Sequence, residues 1–171
     1  MKYFVLCFVV AIVAAACSSS HYYIVRHAEK TVLTKDSASM MMNNPPLSEA
    51  GKVRAFVLRD ELAKKHIRHI YSTNTIRSRT TAEPLSQAKN IPIETYGNID
   101  SLVLLLHSIK GNVLIVGHSN TVDDIVNKLS GKKEIASDLK DSEYDNLFIL
   151  RGKEGKMKFT RKKYGYPSNP E

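Results

Sequence analysis

The sequence predicts an α/β fold, specifically a three-layer α/β/α sandwich with a mostly parallel central sheet. Short apolar runs typical of strands alternate along the chain with longer segments of helical periodicity. One segment, NVLIVGHSN (112–120), opens with an almost purely apolar run, as expected for a central strand covered on both faces. Such alternation joins parallel strands through helical crossovers, so we expect helices on both sides of the sheet.

Four strands and four helices are expected before a closing β-hairpin. The predicted strands are Tyr22–Arg26, Arg68–Ser72, Ile91–Tyr96 and 112–120. The predicted helices are 47–66, Arg77–Ala88, Ser101–Ile109 and Asn120–Leu129. The segments NLFIL (146–150) and KMKFT (156–160) then form the hairpin across RGKEGK.

The first two predicted helices carry specific signals. Ser48 precedes the first helix as its expected N-cap. Val53, Phe56 and Val57 recur at helical spacing, with Leu62 as a further candidate, so we expect their face to pack against the core. In the second helix, Pro84 should either produce a kink or lie near the start, because proline lacks the N–H that a helix interior requires.

The first sixteen residues predict an export signal. Lys2 precedes a mostly apolar run, Tyr3–Ala16, which is short for a membrane span and fits the apolar region of a signal peptide. Small residues precede Cys17 and serines follow it, which resembles a bacterial lipoprotein signal that is cleaved before a lipidated cysteine. Because Ala14 stands where such signals usually carry leucine, ordinary cleavage after Ala16 is the alternative.

This interpretation makes the protein an exported, single-domain lipoprotein of the bacterial cell envelope. Its parts are a signal peptide (1–16), a tether (17–21), the folded domain (22–165) and a tail (166–171). Ser18 favours a lipid anchor in the outer membrane, facing the periplasm, by analogy with lipoprotein sorting. The other cysteine, Cys7, lies in the signal, so the domain has neither a disulfide framework nor a thiol nucleophile.

The charge of the chain favours anionic partners. The formal net charge is +8 and the calculated pI is about 9.5. A solvated basic surface is the alternative explanation. We do not expect nucleic-acid binding, because no basic motif with interleaved aromatic residues accompanies the charge.

Cationic and imidazole side chains follow the predicted strands at the point where each strand ends. Arg26 and His27 follow the first strand, Arg77 follows the second, and His118 follows the fourth. Because the carboxyl ends of parallel strands meet at one edge, where α/β proteins bind their ligands, we expect these side chains to lie close together.

These residue types suit phosphoryl transfer. Guanidinium groups match phosphate oxygens in bidentate fashion and keep their charge at any physiological pH. A neutral imidazole next to them is a competent nucleophile, and its cationic surroundings lower its pKa. A carboxylic acid can protonate the departing oxygen, and Glu94 and Asp100 follow the third strand.

Four motifs in a fixed order resemble those of the histidine phosphatase superfamily, the phosphoglycerate-mutase-like group. They are VRHAEK, LSEAGKVRA, STNTIRSRTTA and VGHSN. The resemblance extends over about Tyr22–Gly165, and the ending YDNLFIL…RKKYG is also similar to small members. It implies the α/β fold expected above, a two-step phosphatase reaction through a phosphohistidine, and no metal or other cofactor.

The resemblance also implies a role for each matching residue. His27 would be the phosphorylated nucleophile, and Arg26 and Arg77 would clamp the phosphate. His118 would bind the phosphate and stabilise its charge. The backbone N–H of Ser119, at the start of the following helix, would add a further donor.

The sequence leaves two candidates for the general acid. The corresponding family motif is poorly preserved between Arg77 and His118. Asp100, at the start of the third predicted helix, is the first candidate, although it could serve only as a helix N-cap. Glu94 is the second candidate. It ranks below Asp100 because it lies within a strand, where its side chain could point away from the site.

Two functions are therefore expected from the sequence. The first is a metal-independent hydrolase, a phosphomonoesterase similar to histidine acid phosphatases, acting on a phosphorylated small molecule or a phosphoprotein. The short segment between Arg77 and His118 leaves little room for a substrate lid, which favours hydrolysis over mutase chemistry. The second is a catalytically weak, lipid-anchored protein that binds phosphorylated or anionic ligands.

Overall fold

A six-stranded sheet lies between two pairs of helices in the computed structural model, which describes residues 20–32, 44–153 and 155–168. The strands are β1 (Ser20–Arg26), β2 (Ile67–Thr73), β3 (Ile93–Tyr96), β4 (Asn112–Gly117), β5 (Asn146–Lys153) and β6 (Lys156–Lys163). The helices are α1 (Glu49–Leu62), α2 (Ile76–Lys89), α3 (Ile99–Ser108) and α4 (Val122–Ser130). The predicted signal peptide, Cys17 and most of loop 34–46 lie outside these residues.

The strand order is β3-β2-β4-β1-β5-β6. The first four strands in that order are parallel, whereas β5 and β6 run antiparallel at one edge. The predicted sandwich with a mostly parallel sheet is therefore confirmed. The predicted hairpin is also present, with strands that extend further into RGKEGK than expected.

Alternating side chains of β1 show how the two layers of helices are held. Tyr22 and Ile24 belong to one buried cluster, which includes residues of α3 and α4. Tyr23 and Val25 belong to the other, which includes residues of α1 and α2. Both faces of β1 and β4 are thus covered, and residues beyond the carboxyl ends of these strands are held on a rigid frame.

The predicted core face of α1 is wrong in part: Val57 packs against a buried cluster and Leu62 is buried, but the rest of the face differs. Val53 and Phe56 are half exposed, and the helix instead buries Arg54, Ala55 and Leu58. The helix approaches the segment after β1 so closely that a Cβ at Gly51 would overlap the backbone of Glu29. This contact turns the Arg54 face inward, where Glu29 neutralises its charge. The predicted N-cap is confirmed, since the Ser48 hydroxyl accepts a hydrogen bond from the Gly51 N–H.

Two other local expectations differ from the structure. Helix α2 continues through Pro84, which lies in its second half and not near its start. The cap of α3 is Asn98, whose side chain accepts from the Ser101 N–H, so Asp100 is not the N-cap.

Across the described ranges, no helix has both the length and the apolar composition needed to cross a bilayer.

Candidate active site

The carboxyl ends of β1, β2 and β4 bring together the four residues predicted from the motifs. Arg26 ends β1, and the backbone N–H of His27 donates to the Gly117 carbonyl at the end of β4 (2.9 Å). The rings of His27 and His118 lie edge to face, 5.2 Å apart. Arg77, in the first turn of α2, places Nη2 3.4 Å from Nδ1 of His118.

The position of His27 determines which of its nitrogens is free. Its side chain is 3% exposed, and Nδ1 lies 2.8 Å from the carbonyl oxygen of Ala28. Because a carbonyl only accepts, Nδ1 carries the proton and Nε2 carries the lone pair. The Ala28 N–H is itself bonded to the Thr81 hydroxyl (2.9 Å), which holds the turn in place. His27 therefore has an oriented, unprotonated Nε2.

Burial, together with the charges of Arg26 and Arg77, lowers the pKa of His27 from 6.5 to about 3, against the opposing effect of the Ala28 hydrogen bond. We therefore expect the imidazole of the free protein to stay neutral through the whole range from pH 8 to pH 5.

Nuclear magnetic resonance checks this expectation directly. The C–H resonances of the His27 ring, assigned by their loss in His27→Ala, should not shift between pH 8 and pH 5 in the free protein. A titration midpoint near 6.5 would contradict the buried, cation-flanked environment.

His118 is held in one tautomer by neighbours from β2 and α2. The Thr73 hydroxyl donates to Ser78 Oγ (2.8 Å), so its oxygen is available to accept from His118 Nε2 (2.9 Å). Nδ1 then carries the lone pair and faces the guanidinium of Arg77. Sequence reasoning did not identify Thr73, although it lies in the STNT motif, at the last residue of β2.

Burial, followed by the charges of Arg77 and Arg26, lowers the pKa of His118 to about 4. A bound phosphate dianion would reverse the charge effect, because a negative group between these side chains favours the protonated imidazole. His118 can therefore become a donor to phosphate at Nδ1 when an anion is present.

Three guanidinium N–H donors at this site are buried and unbonded within the part of the chain that the structure describes. They are Nε of Arg26 and both Nε and Nη1 of Arg77. Burial and the nearby charge of Arg26 lower the pKa of Arg77. Unsatisfied buried donors and two close cations are both relieved by a bound oxyanion. The arrangement is therefore chemically suited to an oxyanion such as phosphate.

Arg26 also contacts the segment between α4 and β5. Its side chain is 2% exposed, and Nη1 donates to the carbonyls of Lys140 (2.8 Å) and Asp141 (3.0 Å). Nη2 donates to the Asp141 carboxylate (3.0 Å), and the guanidinium stacks 4.2 Å from the centre of the Tyr144 ring. Sequence reasoning missed Asp141 as a contact of Arg26. It also missed the role of Tyr144, despite the YDNLFIL match.

The carboxylate of Asp141 competes with a phosphate for the charge of Arg26. We expect Asp141→Asn to lower the inhibition constant for inorganic phosphate by about two- to fivefold, a small effect because Asp141 is 71% exposed. Asp138→Asn, which removes an exposed charge from the same segment, is the matched control. Unchanged or weaker inhibition in Asp141→Asn would show that the pair does not oppose phosphate.

Gly117 and Thr121 shape the turn that presents His118. The Thr121 hydroxyl accepts from the His118 N–H (2.8 Å), and a Cβ on Gly117 would lie 2.7 Å from that hydroxyl oxygen. Ser119 follows, with its carbonyl bonded to the Leu139 N–H (3.0 Å). Helix α4 begins only at Val122, two residues later than predicted, so the role of the Ser119 N–H stays a prediction.

The two acid candidates lie apart from the cationic cluster. Asp100 is in the first turn of α3 with its side chain 70% exposed, and its Oδ1 is 2.7 Å from Nζ of Lys128. Glu94 is an exposed residue of β3, in register with Tyr71 of β2. Over the described ranges, no contact joins either carboxylate to His27 or His118. The assignment of the acid stays a prediction.

A largely buried ion pair joins helix α1 to the segment that follows β1. Arg54 of α1 donates from Nη2 to Glu29 Oε1 (2.6 Å) and from Nη1 to the carbonyl of Tyr164 (3.0 Å). In the described segments, no group of three or more His, Cys, Asp and Glu side chains is arranged to hold a metal ion.

Known proteins share parts of this sequence and its fold. A sequence profile described as the histidine phosphatase superfamily (branch 1) matches residues 22–100. The structure of the protein histidine phosphatase SixA complexed with tungstate has a TM-score of 0.64 at 17% identity, over 84% of this chain and 96% of that chain. No curated protein gives a significant sequence match.

Two other solved structures extend the comparison. A provisionally assigned phosphohistidine phosphatase SixA from Agrobacterium tumefaciens has a TM-score of 0.60 at 19% identity, over 86% of this chain and 98% of that chain. A mycobacterial glucosyl-3-phosphoglycerate phosphatase has a TM-score of 0.58 at 12% identity, over 85% and 98%. At these identities the similarity establishes a shared fold. The profile match contains Arg26, His27 and Arg77, so this part of the chain is similar in sequence to the histidine phosphatase superfamily, and the solved structures share its fold.

Proposed function

We propose that this chain is a phosphomonoester phosphatase that acts through a phosphohistidine at His27 and needs no metal ion. One observation carries the proposal: an unprotonated imidazole nitrogen lies among unbonded guanidinium donors. The superfamily match supports a phosphatase of this type. The cations of Arg26 and Arg77 supply the positive charge that phosphoryl transfer requires.

In the first step, Nε2 of His27 attacks phosphorus and the bond from phosphorus to the leaving atom breaks; this atom is an oxygen in a phosphomonoester and a ring nitrogen in phosphohistidine. Nδ1 stays bonded to the Ala28 carbonyl, so the charge that forms on the imidazole is stabilised. Arg77 and a protonated His118 donate to the phosphoryl oxygens. In the second step, water attacks phosphorus, the N–P bond breaks, and inorganic phosphate leaves with the water proton taken up by solvent or by a nearby base.

A poor leaving group must receive a proton as it departs. We propose Asp100 as this acid for alkyl esters, with Glu94 as the alternative. Asp100 would have to release Lys128 to reach the site. The reaction should therefore favour substrates that need little help from an acid.

Phosphohistidine is such a substrate, and we propose phosphohistidine proteins as the substrate class. Its second ring nitrogen takes a proton from solvent, which makes the imidazole a good leaving group without a positioned acid. Solved structures with this fold are described as phosphohistidine phosphatases, which supports the same substrate class for this chain.

Rates with different leaving groups test the proposed function. With chelator present, we expect the chain to hydrolyse para-nitrophenyl phosphate and a phosphohistidine peptide much faster than glycerol phosphate. Asp100→Asn should lower kcat/KM for glycerol phosphate by about a hundredfold and leave para-nitrophenyl phosphate unaffected. Glu94→Gln is the comparison variant. Loss of all activity with chelator would contradict metal independence, and equal effects on both esters would contradict an acid role for Asp100.

The second candidate is an anion-binding protein without useful turnover. The position of Asp100, which is paired with Lys128 on the surface, favours it. It predicts phosphate binding by calorimetry together with no hydrolysis of any of the three substrates.

We also propose that the chain is exported and carried on a lipid at Cys17, in the outer membrane of a bacterium and facing the periplasm. The support is the apolar run before Cys17 and the serines after it. Mass spectrometry of the mature chain checks this, since an unmodified N-terminus would contradict the lipid anchor.

A further inference from the structure

The end of the domain opposite the catalytic residues carries a concentration of basic side chains. They surround a cavity of about 880 Å³ where β1, β2 and β4 begin. Its basic lining residues are His21, His66, Arg68, His69 and Lys110. An adjoining cavity shares His66 and Arg68 and adds Lys89. Arg151 of β5, the register partner of His21, is exposed at the same edge.

This charge is not compensated locally. The segments 63–69 and 107–112, which supply most of these residues, contain no Asp or Glu. Arg68 and Lys110 are exposed, and neither forms an ion pair with any described residue. Basic residues elsewhere do form such pairs, as Lys162 does with Glu61. The face is thus suited to an anionic surface.

Apolar side chains lie beside these cations. Leu104 is 71% exposed and Leu105 is 40% exposed, in the second half of α3. That helix ends at Ser108, two residues before Lys110, so both leucines lie close to the basic end of the domain. Exposed leucines next to Lys and Arg are typical of surfaces that bind at the interface of a bilayer.

The position of the N-terminal segment gives a second, independent reason to expect a bilayer here. Strand β1 begins at Ser20 at this edge, and His21 lines the cavity. Cys17, which carries the lipid in the function proposed above, is three Cα-to-Cα steps from Ser20, and these extend at most about 11 Å. A lipid on Cys17 would therefore hold this face next to the lipid headgroups.

We propose that this basic face, with Leu104, is a membrane-docking surface for anionic bilayers. The cations bind the phosphates of the lipid headgroups, and the leucine inserts between them. Since β1 has seven residues and rises about 3.3 Å per residue, the site around His27 lies roughly 20 Å further from the bilayer. It would face soluble substrates.

Vesicle partitioning tests the proposal independently of phosphatase activity. The full chain is distributed onto vesicles of phosphatidylcholine alone and of equal parts phosphatidylcholine and phosphatidylglycerol. The partition coefficient for the mixed vesicles is divided by that for phosphatidylcholine alone. Because the apolar N-terminal run contributes to both, this ratio measures the preference for anionic lipid. Each cation near an anionic surface contributes about fivefold, so Arg68→Gln/Lys110→Gln should lower this ratio about 25-fold.

The matched control is Lys52→Gln/Arg79→Gln, which removes the same charge from exposed positions in the first turns of α1 and α2, at the catalytic end. Both double variants should unfold at the wild-type temperature. A ratio near one for the wild-type chain would overturn the proposal. An equal fall in both double variants would also overturn it, because net charge and not this face would then be responsible.

Discussion

Replacing His27 with alanine is expected to reduce turnover of para-nitrophenyl phosphate by at least about a thousandfold. The variant removes the proposed nucleophile, Nε2 of His27, whereas the lone pair of His118 Nδ1 faces the guanidinium of Arg77. The fold should remain intact, because the hydrogen bond from the residue 27 backbone N–H to Gly117 does not involve the side chain. Steady-state kinetics and the thermal unfolding temperature of the same preparation measure both expectations.

The matched control is His66→Ala, which truncates an exposed histidine at the opposite end of the domain. It should keep the wild-type rate on this soluble substrate. Residual activity within tenfold of wild type in His27→Ala would mean that another group or water performs the attack.

Replacing Arg54 with methionine is expected to lower the free energy of unfolding by about 3 kcal/mol. Arg54 is buried, and Glu29 beside it is largely buried, so the variant leaves an unpaired carboxylate in the interior. It also leaves the carbonyls of Tyr164 and Tyr166 without their guanidinium donors. Methionine retains most of the apolar volume, so the loss measures polar contacts more than a cavity.

Urea unfolding gives the measurement, with unchanged slope as the sign of two-state behaviour. Arg59→Met is the control, because Arg59 pairs with Asp60 on the surface of the same helix and should change stability little. A value for Arg54→Met that matches the control would show that the Glu29 pair is dispensable. The double variant Glu29→Gln/Arg54→Met should recover part of the loss, since it removes the unpaired charge.

The sequence was sufficient to predict the layers of the fold and the meeting of Arg26, His27, Arg77 and His118 at one edge of the sheet. The layers follow from local hydrophobic periodicity, which alternates between that of a strand and that of a helix along the chain. Parallel strands must then bring Arg26, Arg77 and His118 to one edge of the sheet. These features follow from short stretches of chain and from general rules of topology, which explains why they could be predicted without coordinates.

Contacts between distant segments could not be predicted in this way. Asp141 is more than a hundred residues from Arg26, and no pattern in its own surroundings marks it as a neighbour. The same applies to the burial of Arg54, which depends on how closely α1 approaches Glu29. The pattern of Val53 and Phe56 favoured the opposite face, because one apolar stripe resembles another until the packing partner is known.

The choice between Asp100 and Glu94 illustrates the same difficulty at the site. Both residues follow β2 in the chain and both are acidic, which is all that the sequence shows. Their side chains instead lie on the surface, with Asp100 paired to Lys128 of α4. A proton donor is defined by its distance from the leaving atom, and that distance depends on the bound substrate.

Rapid quenching of the reaction tests the central claim most directly. The full chain, mixed with ³²P-labelled phosphohistidine peptide and chelator, should acquire label within one turnover on the peptide that contains His27. The label should be stable in alkali and lost in acid, as expected of phosphohistidine, and absent from His27→Ala. Turnover by the wild-type chain without such a label, or a label that persists in His27→Ala, would contradict a phosphohistidine intermediate at this residue.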